Sequence, residues 1–328
     1  MSTGILFITL AISSFLLTFA IIKLALKNKI ISVPNERSLH DSPTPVGGGL
    51  AIVITWYAGI SFLFYSGLIE ARLYYALLSG IVLTVVSLID DIIDLKPVIR
   101  LVFQFITALL AVYFLGGLRQ FVITSFDFNY QFVLYPLAVI GMVWFINLFN
   151  FMDGVDGFAS LEAIIICLLM YFLSGSTIIL VLIACVSGFL YWNWPKAKIF
   201  MGDVGSTQLG FVLVVLGIYA HNSYQFSILN WMMISSPFWF DATLTLYRRW
   251  KNGEKLGEAH RKHAYQRIVK AGFSHFKVNM FLLGINALLV IVILIYREFK
   301  FMQIPLFSLT MVFFYLITLQ VDKRVPFK

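Results

Sequence analysis

Eleven apolar stretches of about twenty residues follow one another along this chain of 328 residues, and no water-soluble fold can bury that many. They cover roughly 4–22, 47–66, 72–89, 97–116, 132–149, 157–174, 176–193, 204–221, 228–247, 276–296 and 302–320. A bilayer asks for about 20 apolar residues per spanning helix. With 60% hydrophobic and only 12% charged residues, the solvent for this chain is lipid. The expected fold is an all-α integral membrane protein of about eleven transmembrane helices, a single polytopic domain over 1–328. The first stretch is too long for a signal-peptide core and has no small-residue cleavage site, so it reads as a retained helix.

The basic residues set the orientation. With the N-terminus outside and the C-terminus inside, 20 Lys and Arg fall on the inner side and four, Arg72, Arg119, Arg297 and Lys300, on the outer. The net charge of +8 is then an inner-leaflet property that attracts anionic lipid, and it gives no reason to invoke nucleic acid. Cys167 and Cys185 lie in apolar stretches and indicate neither a disulfide nor a zinc site.

Only sixteen acidic residues interrupt this chain, and seven of them gather in four short segments. These are Asp90, Asp91 and Asp94 in LIDDIID, Asp153 and Asp156 in NFMDGVDG, Asp203 in FMGDVGS, and Asp241 in PFWFDAT. A carboxylate at a membrane edge costs free energy unless a cation or hydrogen-bond donors compensate it. Convergent carboxylates therefore point to a divalent metal and an anionic substrate, most simply a phosphate. In the orientation above all of them fall on the inner side, within loops 27–46, 90–100, 150–157, 194–205 and 248–275 or at their edges. A transporter would place its polar groups near mid-membrane, so a crowd on one face favours an enzyme working at the cytoplasmic surface.

Each segment has a plain reading beside the chemical one. The adjacent Asp90 and Asp91 repel, so one keeps a proton or both face a cation; otherwise they are an acidic helix end. Asp94 reads as a solvated charge, and Arg100 as a phosphate ligand or an inside anchor. The two Asp-Gly steps of DGVDG imply an irregular turn with Asn150, Asp153 and Asp156 around it. Asp203, between two glycines before a helix, sits where an N-cap belongs, and capping does not exclude metal ligation. Asn193 and Phe200 lie close by for a nucleobase. His260 and His263, with Arg261 and Lys262 between them, lack the companions for zinc and suit an anion such as pyrophosphate. Arg37, His40 and the run Gly47–Gly49 form an ordered loop that could meet phosphates, though GK[ST] of a Walker A loop is absent.

Taken in order, DD, NFMDGVDG, FMGDVGS and HRKHAYQ resemble the motifs of the polyprenyl-phosphate N-acetylhexosamine-1-phosphate transferases, over about residues 33–270. This family includes the initiators of O-antigen synthesis and the MurNAc-pentapeptide translocases. The resemblance implies transfer of a sugar 1-phosphate from a UDP-N-acetyl sugar to undecaprenyl phosphate at the bacterial inner membrane, releasing UMP. It implies Mg²⁺ as cofactor, with Mn²⁺ as a substitute. It implies Asp90 and Asp91 as the catalytic pair, with Asp203 and Asp91 on the metal. Asn150, Asp153, Asp156, Asn193 and Phe200 fall to the nucleotide, and His260, Arg261 and His263 to the sugar and pyrophosphate. Arg37, His40 and Arg100 are candidates for the lipid phosphate. A homodimer is compatible with this reading. The HRKHAYQ form, in place of a run of histidines, argues against a MurNAc-pentapeptide donor and leans toward a 6-deoxy sugar such as FucNAc or QuiNAc, with GlcNAc as the alternative. From another class, a polytopic transporter or flippase remains the competing reading.

Overall fold

The computed structural model describes residues 3–34, 39–93, 95–119, 121–123, 126–258 and 260–327. Arg37 and Asp94 lie outside them. Fourteen α-helices follow in chain order among the described residues: α1 (Thr3–Lys27), α2 (Gly49–Tyr65), α3 (Ala71–Leu78), α4 (Ile81–Ile93), α5 (Pro97–Leu115), α6 (Gln131–Phe151), α7 (Phe158–Ser174), α8 (Thr177–Asn193), α9 (Asp203–Asn222), α10 (Ile228–Ile234), α11 (Ser236–Lys251), α12 (Ala264–Lys270), α13 (His275–Glu298) and α14 (Gln303–Arg324).

Every one of the eleven apolar stretches is helical. Seven helical runs are long and apolar enough to cross a membrane: Gly4–Lys27, Ala71–Asp91, Pro97–Leu115, Gln131–Phe151, Asp203–Asn222, His275–Glu298 and Lys300–Arg324. Of the eleven expected spans, seven reach that length among the described residues. Helices α2, α7 and α8 are apolar but stop at 17 residues. The stretch 228–247 is divided at Ser235 into α10 and α11, where Pro237 near the start of α11 cannot supply an amide to the preceding turn. The all-α expectation also needs a small correction. Two antiparallel ribbons are present, β1 (Ile31–Ser32) with β2 (Thr44–Pro45), and β3 (Phe121–Ile123) with β4 (Phe126–Phe128).

Helix α9 is the axis of the bundle and is buried along nearly its whole length. Lipid is as apolar as Leu, so close backbone approach and polar ties, rather than hydrophobic burial, hold such helices together. Gly205 and Gly49 let α9 and α2 meet: a Cβ on Gly49 would come within 2.4 Å of the Gly205 Cα. Polar side chains then stitch the neighbours. Gln208 donates to the Tyr57 hydroxyl at 2.8 Å, the Thr84 hydroxyl donates to Gln208 at 3.3 Å, and Gln104 and Asn147 exchange amide hydrogen bonds. Between α7 and α13 the Asn286 amide donates to the fully buried Glu162 at 2.7 Å. The lipid-facing sides of α1, α5, α13 and α14 carry the exposed Leu, Ile, Val and Phe.

Candidate active site

The carboxylate-bearing segments converge at one end of the bundle, where α4 and α6 end and α5, α7, α9 and α13 begin. The loop before α2 lies against the segment before α9: Phe200 N donates to Pro45 O at 2.8 Å, and the Gly48 and Gly49 amides donate to Phe200 O and Met201 O at 3.0 and 2.8 Å. The glycine run is therefore committed to backbone partners. The expectation that its amides meet phosphates is corrected for Gly48 and Gly49.

Asp203 occupies the junction of this end. It is the first residue of α9, and the N-cap is Gly202, so its side chain does not cap the helix as its position in the sequence suggested. It accepts instead from the Asn150 amide at 3.1 Å and from the Arg100 guanidinium at 3.2 Å. The same Arg100 nitrogen donates to Asp90 at 2.8 Å. The Asp90 side chain is 8% exposed and also accepts from Leu95 N at 2.7 Å, so both of its oxygens are engaged. The side chains of Arg100 and Asp203 keep 39% and 38% of their surface open. Such a pair is held weakly and can exchange partners when an anion or cation arrives. Asp91 is exposed beside them, within reach of the charges of Asp90 and Asp203.

Two cavities meet at Asp203, Asn150 and Gln266. The first, about 290 Å³, is enclosed by the loops and lined by His40, Asp153, Asp156, Asn193, Phe200 and His275 among others. The second, about 440 Å³, runs between α4, α5, α6 and α9, with Arg100, His260 and His263 at its polar end and Leu83, Val86 and Leu101 along its wall. The residues assigned from sequence to a nucleotide thus share one cavity, and the histidine pair faces the other. Arg261 lines neither. It borders a third cavity of about 650 Å³ with Arg249, Lys262 and Arg267.

Several assigned residues also hold the scaffold. Asn193 is buried and saturated: its carbonyl oxygen accepts from Gly157 N at 3.0 Å and from the Ser160 hydroxyl at 3.4 Å, and its amide donates to Ile199 O at 2.9 Å. Asp156 accepts from Ala197 N at 3.1 Å and pairs with His275 at 3.2 Å. Asp241 accepts from Ala264 N at 2.9 Å and from Tyr265 N at 3.5 Å, which fixes the start of α12. Phe200 packs its ring against His40, with centroids 4.8 Å apart. Sequence reasoning passed over three contributors. Tyr265 donates to Phe151 O at 2.9 Å and ties the histidine loop to the DGVDG turn, Gln266 lines both cavities, and His275 anchors Asp156. Tyr265 and Gln266 lie inside HRKHAYQ, so the signal was in the motif.

The charge balance is uneven. Burial, then the charges of Asp203 and Asp156, push the Asp153 carboxyl well above the usual carboxylate range. His260 and His263 move the other way, each down to about 3. Burial is the main cause for both; His263 and Arg249 add to it for His260, and Arg249 and Arg267 for His263. Both are neutral at pH 7, so the loop offers its positive charge through Arg and Lys and its histidines as neutral donors. A folded-state pKa below the unfolded value of about 6.5 means that, on acidification, the unfolded chain takes up protons first. Stability contributed by neutral His263 is therefore present above pH ~6.5 and is lost as pH falls toward 3. Melting of the wild type is expected to drop more steeply between pH 7.5 and 5 than that of His263→Asn. Parallel curves would contradict a buried neutral histidine.

Among the described residues, no three His, Cys, Asp or Glu side chains form a ready-made metal cage. Asp203 carries negative charge that bears on both Asp91 and Asp153, with Arg100 as the cation in contact. One or two carboxylates in such a negative field fit Mg²⁺, which keeps several waters and completes its shell with substrate phosphates.

Comparison with known proteins agrees with this arrangement. The profile of glycosyl transferase family 4 matches residues 73–221, the span from α3 to α9. A probable undecaprenyl-phosphate N-acetylglucosaminyl 1-phosphate transferase of Bacillus subtilis is 29% identical over 286 residues, covering 82% of this chain and 78% of its own. The chain is similar to polyprenyl-phosphate N-acetylglucosamine-1-phosphate transferases over most of its length. The chain also matches a decaprenyl-phosphate N-acetylglucosaminephosphotransferase of Mycobacterium leprae, at 28% identity over 83% of this chain and 78% of the relative. An undecaprenyl-phosphate alpha-N-acetylglucosaminyl 1-phosphate transferase of Escherichia coli is 28% identical over 80% of this chain and 76% of its own. With seven helical runs long and apolar enough to cross a bilayer, the chain is a multi-pass membrane protein.

Proposed function

We propose that the chain transfers N-acetylglucosamine 1-phosphate from UDP-GlcNAc to undecaprenyl phosphate at the cytoplasmic face of a bacterial membrane, releasing UMP. The observation that carries this reading is the pair of cavities meeting at Asp203. One lies among the loops, with Asp153, Asp156, Asn193 and Phe200 in its lining, and the other reaches between helices, with Leu83, Val86 and Leu101 along one side. A water-soluble donor and a lipid acceptor need this division. All three relatives above bear N-acetylglucosamine in their names, so GlcNAc displaces the 6-deoxy donor toward which HRKHAYQ leaned.

The uridine side of the donor lies in the loop cavity against Phe200 and His40, with Asn193 and Asp156 shaping its floor. The lipid phosphate enters from the helix side and meets Arg100, which Asp90 orients. An oxygen of that phosphate attacks the sugar-bearing phosphorus of the donor. A new P–O–P link forms, and the bond to the UMP oxygen breaks. A dianionic acceptor needs no base, and the engaged state of Asp90 suits a positioning role better than proton transfer. Mg²⁺ bound at Asp203 would offset the repulsion of the two anions and polarise the pyrophosphate.

The test is radiolabelled UDP-GlcNAc with membranes and undecaprenyl phosphate. A butanol-soluble product is expected, with UDP-GlcNAc preferred over its 6-deoxy analogues in kcat/KM. No such product from any UDP-sugar would leave the transporter reading standing. His260→Ala and His263→Ala are expected to lower kcat/KM by about 10- to 100-fold, as the loss of a hydrogen bond to a charged oxygen of roughly 1.5–3 kcal/mol. Wild-type kinetics in both would reduce the loop to a basic membrane anchor.

A further inference from the structure

The basic residues at the other end of the bundle do not scatter. Of the four Lys and Arg that the sequence places on the outer side, three line one cavity of about 370 Å³: Arg119, Arg297 and Lys300. This cavity lies at the C-terminal ends of α5, α7, α9 and α13, whose N-terminal ends surround the active site. The 20 residues of α9, at about 1.5 Å each, separate the two by roughly 30 Å. Neither the family resemblance nor the proposed transfer uses it.

A buried polar residue, Asn230, lies in its lining. Asn230 is fully buried; its oxygen accepts from the Gln303 amide at 3.1 Å, while its Nδ2 has no hydrogen-bond partner among the described residues. No carboxylate appears among the described residues lining the cavity. Phe172 and Phe226 give it an apolar side, and the Arg297 guanidinium lies 5.1 Å from the centroid of the Phe172 ring. Phe172 is also exposed on the outside of the bundle, as are Phe299 and Phe301 beside Lys300.

We propose that this cavity binds the phosphate of an anionic lipid headgroup at the membrane face opposite the active site. Arg119, Arg297 and Lys300 supply the charge and the donors to the phosphate oxygens. The phosphate chemistry is shared by free phosphate; the apolar side and the lipid-facing aromatics favour the lipid.

The experiment uses the full chain in detergent. Native mass spectrometry titrates phosphatidylglycerol against phosphatidylcholine, and melting is followed with each lipid and with inorganic phosphate. The wild type is expected to prefer phosphatidylglycerol, and Arg297→Gln with Lys300→Gln is expected to weaken that binding on the order of tenfold or more, as for lost charge-assisted bonds. Arg297→Lys with Lys300→Arg should restore it. If the double variant is not recovered folded, the exposed Arg119→Gln serves in its place. Protection by inorganic phosphate alone, lost in the variant, would keep the anion site and overturn the lipid as its source. Equal phosphatidylglycerol binding in wild type and variants, or no preference over phosphatidylcholine with no effect of phosphate, would overturn the site.

Discussion

Asp203→Asn is expected to lower turnover about 1,000-fold or more and to leave the protein folded in the membrane. The substitution keeps the shape of the side chain, and an amide oxygen can still accept from Asn150. What it removes is a negative charge at the meeting point of both cavities, where several kcal/mol of charge stabilisation is at stake and each 1.36 kcal/mol is tenfold in rate. UMP release by the purified variant across a Mg²⁺ titration, beside its melting curve, is the measurement. Wild-type rates at every Mg²⁺ concentration would take Asp203 out of the reaction.

Arg100→Gln should be the next most severe, at about 100- to 1,000-fold in kcat/KM for the lipid acceptor, from losing a cation that donates charge-assisted bonds. The loss for UDP-sugar should be smaller, because Arg100 lines only the cavity with apolar walls. Asp90→Asn should reproduce part of this defect, since its carboxylate holds the same guanidinium nitrogen. The double variant should then be little worse than Arg100→Gln alone, as for residues acting as a unit. A pH–rate profile that keeps its shape in Asp90→Asn fits a positioning role. Relief of the defect at high pH would make Asp90 a general base instead.

The helices were legible because a bilayer imposes one length and one polarity on each span, and all eleven stretches carry that stamp. The breaks were less so. The α3–α4 junction at Ser79–Gly80 reads as one continuous apolar run, and the sequence does not show that Gly80 packs against α9, where a Cβ would press within 2.5 Å of the Phe211 ring. The site was legible as residues but not as partners. Asp203 looked like a cap because it opens a helix between two glycines, and only the structure shows that Gly202 takes the cap while Asp203 accepts from Arg100 and Asn150. Arg100 could be read as an anchor or a phosphate ligand, since its link to Asp203 spans 103 residues of sequence. Asn193 read as a ligand, and the structure adds that it braces the loop, because hydrogen-bond partners have no signature in residue type.

Leu101 both lines the larger cavity and is 42% exposed on the outer surface of α5, so that cavity reaches the side of the bundle. An acceptor using that route arrives by diffusion in two dimensions, already oriented with its phosphate at the depth of Arg100. Its relevant concentration is then a mole fraction in the membrane and not a molarity in the assay. Adding detergent or inert lipid at constant total acceptor should dilute the reaction as a poorer surface would, while the demand for the water-soluble donor stays fixed.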